Sequence, residues 1–143
     1  MNLSSATVAP SDTPRTRPNN QKTFLIVDDS AVIRRRLVSL LSEIKGVHLV
    51  GEASNAVDGA ALIRKLKPDV VILDIRMPDR SGISLLEDIK QDPQVPTIII
   101  LTNYPYAAYQ KRCMELGASH FFDKSSEFTL LESVVRDLAK VGH

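Results

Sequence analysis

Four short apolar runs in this chain each stop abruptly at polar residues. The runs cover residues 24–27, 70–73, 97–101 and 120–122. They are rich in β-branched, leucine and aromatic residues with little alternation, which is typical of parallel strands buried on both faces. The polar residues at or just after their ends are Asp28 with Asp29, Asp74, Thr102 and Lys124. Because ligands of a doubly wound sheet lie at the carboxyl ends of its strands, these side chains are candidates for one site.

Composition limits the classes of protein to consider. The length of 143 residues suits one domain, and 43% hydrophobic with 24% charged residues allows an ordinary core. The formal net charge is +1, so the chain does not have the excess of Lys and Arg that is expected of a nucleic-acid-binding protein. The single cysteine, Cys113, excludes an internal disulfide and a cysteine metal cluster.

Residues 1–21 differ from the rest of the chain. They are rich in Ser, Thr, Asn and Pro, and such a segment buries too little apolar surface to order itself. We therefore predict a flexible N-terminal tail followed by one domain over residues 22–143. The first residues lack a basic stretch followed by an apolar one, so they are not a secretory signal. No apolar run approaches the roughly 20 residues of a membrane span, so we expect a cytoplasmic protein that does not bind membranes.

From Thr23 onward the pattern alternates strand and helix five times, which predicts βαβ units and a parallel sheet. The predicted strands end at Asp28 or cover residues 48–53, 69–74, 97–102 and 119–123. The predicted helices follow Ser30 or cover residues 56–66, about 83–89, 105–116 and 127–140. The expected fold is α/β, a five-stranded parallel sheet of flavodoxin-like order 2-1-3-4-5 with helices on both faces.

The expected cluster of carboxylates suits a hard divalent cation. Three anions close together repel one another, and Mg²⁺ relieves that repulsion through carboxylate and water oxygens. An aspartate can also accept a phosphoryl group covalently. Asp74 is the best candidate nucleophile, because a loop containing Pro and Gly follows it. Thr102 could donate a hydrogen bond to the phosphoryl group, and Lys124 could neutralise its charge.

Each of these residues also has an ordinary structural explanation. Asp28, Asp29 and Ser30 could simply cap a helix, Thr102 could be a strand residue, and Lys124 could be a solvated charge. Their shared placement at strand ends, in the right chain order, favours one functional site.

The stretches FLIVDDS, VVILDIRMPDRSG, TIIILTNY and HFFDKSS resemble those of response-regulator receiver domains over residues 22–140. The M-P-D-x-x-G loop is the most specific of these motifs. The resemblance implies that Asp74 is the phospho-acceptor and that Asp29 binds Mg²⁺ directly. It also implies that Asp28 assists largely through water and that the main-chain carbonyl of Arg76 completes the metal site.

The same resemblance implies a switch and a set of partners. Thr102 matches the switch hydroxyl, Lys124 the phosphoryl-binding lysine, and Phe121 the aromatic residue that moves behind the hydroxyl. A sensor histidine kinase or a histidine phosphotransfer protein would donate the phosphoryl group. The output would be contact with a downstream protein through the fourth helix, fifth strand and fifth helix, with phosphorylation-dependent homodimerisation as a further possibility.

Two other functions compete with a single-domain regulator in two-component signalling. The first is the receiver portion of a longer DNA-binding transcription regulator, which the full reading frame would reveal. The second is a Mg²⁺-dependent phosphatase with an aspartate nucleophile, but those enzymes have a D-x-D arrangement where this chain has Asp74, Ile75 and Arg76. We expect a phospho-acceptor that is not an enzyme beyond its own phosphorylation and dephosphorylation.

The chain departs from the receiver pattern at three places. Ser125 replaces the usual proline after the lysine, which leaves the isomer of the preceding peptide bond open. Asn103 is larger than the usual Ala or Ser, and Arg76 and Tyr104 occupy positions that tune hydrolysis of the acyl phosphate. A separate run of residues 34–36, three arginines, spans about 200° of helix, so part of it must be solvated, and we expect no direct nucleic-acid contact.

Overall fold

The computed structural model describes residues 6–8 and 21–140. Strands and helices alternate as predicted after residue 21, and a short strand precedes them. The elements are β1 (Ala6–Val8), β2 (Lys22–Val27), α1 (Ala31–Ser42), β3 (Val47–Ala53), α2 (Ala56–Leu66), β4 (Val70–Leu73), α3 (Gly82–Ile89), β5 (Thr97–Thr102), α4 (Ala107–Glu115), β6 (His120–Asp123) and α5 (Phe128–Lys140). The predicted boundaries differ from these by no more than a few residues, mostly at helix ends.

The sheet confirms the predicted topology and adds one strand to it. Its order is β1-β3-β2-β4-β5-β6, and all neighbours from β3 to β6 are parallel. The five parallel strands therefore have the expected order 2-1-3-4-5. This order places β2 and β4 at the centre, where the crossover direction changes.

The predicted flexible tail is wrong for residues 6–8. These residues form β1, which pairs antiparallel with β3 so that Ala6 lies opposite Ala53 and Val8 opposite Gly51. An edge strand presents unpaired N–H and C=O groups, and a short apolar segment can satisfy them without forming a core of its own. Residues 1–5 and 9–20 of the predicted tail lie outside the described residues.

Two apolar layers cover the sheet. One packs α2, α3 and α4 against alternate strand residues such as Val27 and Leu73, and the other packs α1 and α5 against residues such as Ile26 and Ile72. β2, β4 and β5 are almost wholly buried, as their apolar runs predict. β6 is only half-buried because it forms the far edge of the sheet, so the prediction of two buried faces is wrong for residues 120–122.

Helix caps begin the helices that follow the acidic strand ends. The Ser30 hydroxyl accepts a 3.2 Å hydrogen bond from the N–H of Ile33, which starts α1 directly after Asp28 and Asp29. Ser81 caps α3 in the same way through the N–H of Ser84. No peptide bond in the described residues is cis, so the bond before Ser125 is trans.

Candidate functional site

The carboxyl ends of four strands bring the predicted polar residues to one edge of the sheet. Asp28 and Asp29 follow β2, Asp74 follows β4, Thr102 ends β5, and Lys124 follows β6. One carboxylate oxygen from each of the three aspartates lies within 4.8 Å of the others. The structure therefore gathers these three acids, as the topology predicts.

Main-chain and side-chain hydrogen bonds hold Asp28 in the site. Its N–H donates to the carbonyl oxygen of Ala53 at 3.0 Å, and its Oδ1 accepts from the N–H of Ser30 at 2.8 Å. Asp28 is 2% exposed, whereas Asp29 is exposed to solvent. The pair thus offers one buried and one accessible carboxylate.

Asp74 is fixed by the strand before it and the loop after it. Its N–H donates to the carbonyl oxygen of Val27 at 2.9 Å, which continues the ladder between β4 and β2. In the loop, the N–H of Gly82 donates to the carbonyl oxygen of Ile75 at 2.6 Å. A Cβ atom on Gly82 would lie 2.1 Å from the main-chain oxygen of Asp74, so the last position of the M-P-D-x-x-G motif requires glycine.

Lys124 forms a buried ion pair with two of the aspartates. Its Nζ lies 2.9 Å from Oδ2 of Asp28 and 2.9 Å from Oδ2 of Asp74. The lysine side chain is 4% exposed, so water screens these charges little. One cation therefore faces two buried anions and the nearby exposed Asp29, and the cluster has an excess of negative charge.

The pKa values in the site reflect this excess. Burial, and after it the negative charge of Asp74, together raise the pKa of Asp28 to about 6, although hydrogen bonds with Ser30 and Lys124 act against them. Burial also raises the pKa of Asp74, although the charge of Lys124 partly offsets it. Burial opposes the charged form of Lys124, but its bonds and charge interactions with both aspartates outweigh burial and raise the lysine pKa.

One oxygen of Asp74 remains available for chemistry. Oδ1 is buried and has no hydrogen-bond partner within the part of the chain that the structure describes. An unsatisfied buried carboxylate oxygen is costly, and a cation or an electrophile can satisfy it. The surrounding donor set consists of carboxylate oxygens, which Mg²⁺ prefers. These residues therefore fit a divalent cation.

Thr102 joins the site from β5. Its side chain is fully buried, and Oγ1 accepts a 3.0 Å hydrogen bond from the N–H of Tyr104. Its carbonyl oxygen accepts from the N–H of Lys124 at 2.9 Å, which ties the ends of β5 and β6 together. Phe121 is half-buried in β6 and packs against the layer that contains α2, α3 and α4.

Arg76 lies in the loop after Asp74 with an exposed side chain. Its guanidinium carbon is 4.5 Å from the ring centroid of Tyr104, a distance suited to a cation–π contact. This contact bridges the loops that follow β4 and β5. The sequence indicated that both positions matter but did not predict that the two side chains touch.

Asp79 has a structural role that the sequence analysis missed. Its carboxylate accepts hydrogen bonds from the N–H groups of Ala56 and Val57 at 2.9 and 2.8 Å, so the loop after Asp74 caps the start of α2. The M-P-D-x-x-G motif contains this aspartate, but nothing in the local sequence identifies a partner 23 residues away.

Comparison with known proteins agrees with this arrangement. The family model described as "Response regulator receiver domain" matches residues 24–136, which include every predicted site residue. The chain belongs to the response regulator receiver domain family. Receiver domains are signalling domains of two-component systems. The match confirms the predicted family, and the order of the strands confirms the predicted fold.

The curated relatives that match this chain are longer proteins. An uncharacterized response regulatory protein of Vibrio parahaemolyticus is 40% identical over 120 residues, which is 83% of this chain and 48% of that protein. A protein named protein-glutamate methylesterase/protein-glutamine glutaminase 4, of Hahella chejuensis, is 39% identical over 104 residues, or 72% of this chain and 27% of that protein. The chain thus spans about a quarter to a half of the length of such relatives.

A solved structure shares the receiver fold. The two-component response regulator of the LuxR family from Aurantimonas sp. SI85-9A1 matches with a TM-score of 0.76 and 28% identity, over 83% of this chain and 85% of that one. Within the described residues of this receiver domain, no helix is long and apolar enough to cross a membrane.

Proposed function

We propose that this receiver domain accepts a phosphoryl group on Asp74 from a phosphohistidine of a sensor histidine kinase or a phosphotransfer protein. The observation that carries the proposal is the buried Oδ1 of Asp74, which has no hydrogen-bond partner among the described residues and lies beside two further carboxylates. A bond forms between an Asp74 carboxylate oxygen and phosphorus, while the bond from phosphorus to the imidazole nitrogen breaks. The imidazole keeps that electron pair, so the transfer needs no other reactant.

The chain's own residues supply position and charge for this transfer. Lys124 holds Oδ2 of Asp74 at 2.9 Å and provides a cation beside the incoming phosphoryl oxygens. Thr102 lies at the neighbouring strand end, and its hydroxyl can donate a hydrogen bond to a phosphoryl oxygen. As Thr102 moves to do so, Phe121 would occupy the space behind it, which transmits the change towards α4.

Mg²⁺ fits the acidic cluster. Asp29 and Asp74 would bind it directly, Asp28 would act largely through water, and the main-chain carbonyl of Arg76 would complete the protein ligands. When bound, the ion neutralises charge on the carboxylates and on the transferred phosphoryl group.

The output is contact with a downstream protein, in a regulator whose single domain is the receiver. The proposed surface consists of α4, β6 and α5, where Met114 is 43% and Leu130 51% exposed, and Tyr106 directly before α4 is 58% exposed. A second copy of the chain could use the same surface after phosphorylation. Because relatives are longer than this chain, a receiver within a DNA-binding regulator stays the alternative, and the full reading frame distinguishes the two.

The phosphatase alternative has less support. In that chemistry a second carboxylate two positions after the nucleophile acts as an acid, whereas this chain has the guanidinium of Arg76 there. A guanidinium has no carboxyl group and does not replace that acid. Turnover of a generic phosphoester would restore the alternative.

Intact-protein mass after incubation with a small acyl phosphate tests the proposal. We expect a gain of one phosphoryl mass that requires both Mg²⁺ and Asp74, and no gain in Asp74→Asn. Asp137→Asn removes an exposed aspartate from α5 and serves as the matched control. No gain in the wild type under any condition would leave a phosphorylation-independent binding module and contradict the proposed transfer.

A further inference from the structure

Arg34 links three elements beside the acidic site. Its Nη1 donates a 2.6 Å hydrogen bond to the main-chain carbonyl oxygen of Asp28, and its Nε lies 3.3 Å from Oε1 of Glu52. Arg34 belongs to α1, Asp28 follows β2, and Glu52 belongs to β3. The two side chains are 20% and 28% exposed, so both contacts are partly shielded from water.

We infer that Arg34 is a positioning residue of the acidic site, which fixes the peptide unit between Asp28 and Asp29. The carbonyl of Asp28 and the N–H of Asp29 lie in one rigid plane. A hydrogen bond to that carbonyl therefore limits rotation of the peptide that joins the two acids. This inference rests on the proposed function, because it concerns how those acids bind Mg²⁺.

The other polar groups of Asp28 already have fixed partners. The N–H bonds to Ala53, Oδ1 accepts from Ser30, and Oδ2 faces Lys124. The carbonyl is the remaining group, and Arg34 holds it. Without Arg34 the peptide after Asp28 could rotate, and the exposed carboxylate of Asp29 would move with it.

Pairing with Glu52 lets Arg34 orient the site without cancelling its charge. The guanidinium and the Glu52 carboxylate together carry no net charge, so the acidic cluster keeps its attraction for a cation. The planar fork of arginine can hold a carbonyl and a carboxylate in fixed directions at once, whereas a lysine ammonium offers no such geometry. The identity of the residue therefore matters as well as its charge.

The neighbouring arginines face elsewhere. Arg35 is exposed, and Arg36 is exposed with its guanidinium carbon 3.8 Å from the ring centroid of Phe128 in α5. Three consecutive arginines thus have three different environments. Arg35 offers a control with the same charge, on the same helix, one residue from Arg34.

Calorimetric titration with MgCl₂ tests the inference in wild type, Arg34→Met, Arg34→Lys and Arg35→Met. Loss of an outer partner of a metal ligand weakens metal affinity by about 10- to 100-fold, and because Arg34 acts through the main chain we expect about a tenfold rise in Kd for Arg34→Met. Arg34→Lys should not restore the affinity, and Arg35→Met should bind Mg²⁺ as the wild type does.

Urea unfolding in EDTA separates positioning from folding. If Arg34 only stabilised the fold, Arg34→Met would lower the free energy of unfolding and leave the Mg²⁺ Kd of the folded protein unchanged. That result would overturn the inference. If Arg34→Met does not fold, the Mg²⁺ affinities of Arg34→Lys and Glu52→Gln test the inference instead. Wild-type Mg²⁺ affinity in both variants would also overturn it. A wild-type chain that binds no Mg²⁺ would instead contradict the proposed function itself.

Discussion

The ammonium group of Lys124 lies 2.9 Å from Oδ2 of Asp74 and at the same distance from Oδ2 of Asp28. Both contacts are buried, so the lysine holds together two carboxylates that come from different strands. The phospho-acceptor that we propose thus has one oxygen bound to Lys124, while its other oxygen has no hydrogen-bond partner in the described part of the chain.

Lys124→Met should destabilise the metal-free protein. Removing one partner of a buried ion pair leaves uncompensated charge, and we expect a loss of about 3 kcal/mol in the free energy of unfolding. Mg²⁺ should recover part of this loss because it supplies the missing positive charge. Urea unfolding in EDTA and in MgCl₂ measures both effects. Lys111→Met, at an exposed position of α4, is the control. Equal stability of Lys124→Met and wild type in EDTA would contradict the buried pair.

Asp28 should make the stability of the metal-free protein depend on pH. Its pKa is about 6 in the folded protein and 3.8 in the unfolded chain, so the folded state binds the proton more tightly. The free energy of unfolding therefore falls as pH rises from about 4 to about 6, by about 3 kcal/mol at most. Asp28→Asn should abolish this part of the pH dependence and stabilise the metal-free protein at neutral pH. A pH series of urea unfolding curves in EDTA checks the sign. A wild-type free energy of unfolding that rises with pH across this window would refute the prediction.

Gly82→Ala should disturb the site through the backbone of Asp74. The added methyl group would overlap the Asp74 carbonyl oxygen, and we expect a cost of about 2 kcal/mol or more together with slower phosphorylation. Gly117→Ala is the control, because Gly117 has a φ of +101° but no described atom within 4 Å of the added Cβ. That control should cost only about 1 kcal/mol from backbone strain and keep the wild-type phosphorylation rate. Similar phosphorylation rates in both variants would show that Gly82 is not required near Asp74.

Asp79→Ala should weaken the connection between the loop after β4 and the start of α2. Loss of a helix cap costs about 1 kcal/mol, and Asp79→Asn should cost less because its single amide oxygen can still accept. Burial raises the pKa of Asp79, but hydrogen bonds from the N–H groups of Ala56 and Val57 act against it. The net pKa of Asp79 lies below its usual value. The stabilisation is therefore present above the unfolded-state pKa and is lost as pH falls through the folded value. Unfolding curves at neutral and acidic pH test this, and a gap between wild type and Asp79→Ala that widens in acid would contradict it.

Arg76 and Tyr104 should control the lifetime of the acyl phosphate. Their contact joins the loops on either side of the proposed phosphoryl site, so its loss should admit water. We expect Arg76→Ala and Tyr104→Ala each to shorten the half-life several-fold, and the double variant to do little more than either. Mass spectrometry over time after removal of the phosphoryl donor measures the half-life. Fully additive effects would indicate that the two side chains act separately.

Much of the fold could be predicted from local patterns. Unbroken apolar runs predict buried parallel strands because both faces of such strands meet helices, and this holds for β2, β4 and β5. The runs end where the strands leave the sheet, so the residues after them identify the edge that carries the site. Ser30 also indicated a helix start, since a cap depends on residues only three positions away.

Other features depended on contacts between distant parts of the chain. β1 forms because the edge of β3 lies open to it, and three residues within a polar segment carry no signal of that pairing. The half-burial of β6 follows from its place at the sheet edge, which composition does not reveal. Asp79 and Arg34 find their partners only after the loops and helices are in place.

The sequence by itself therefore determined the receiver fold, the order of its parallel strands and the residues at their carboxyl ends, because hydrophobic periodicity and helix caps act over short distances. Only the tertiary structure decided which oxygen of Asp74 Lys124 binds and which carbonyl Arg34 holds. Those outcomes depend on directions and distances between side chains from separate elements, and such geometry exists only once the sheet has assembled.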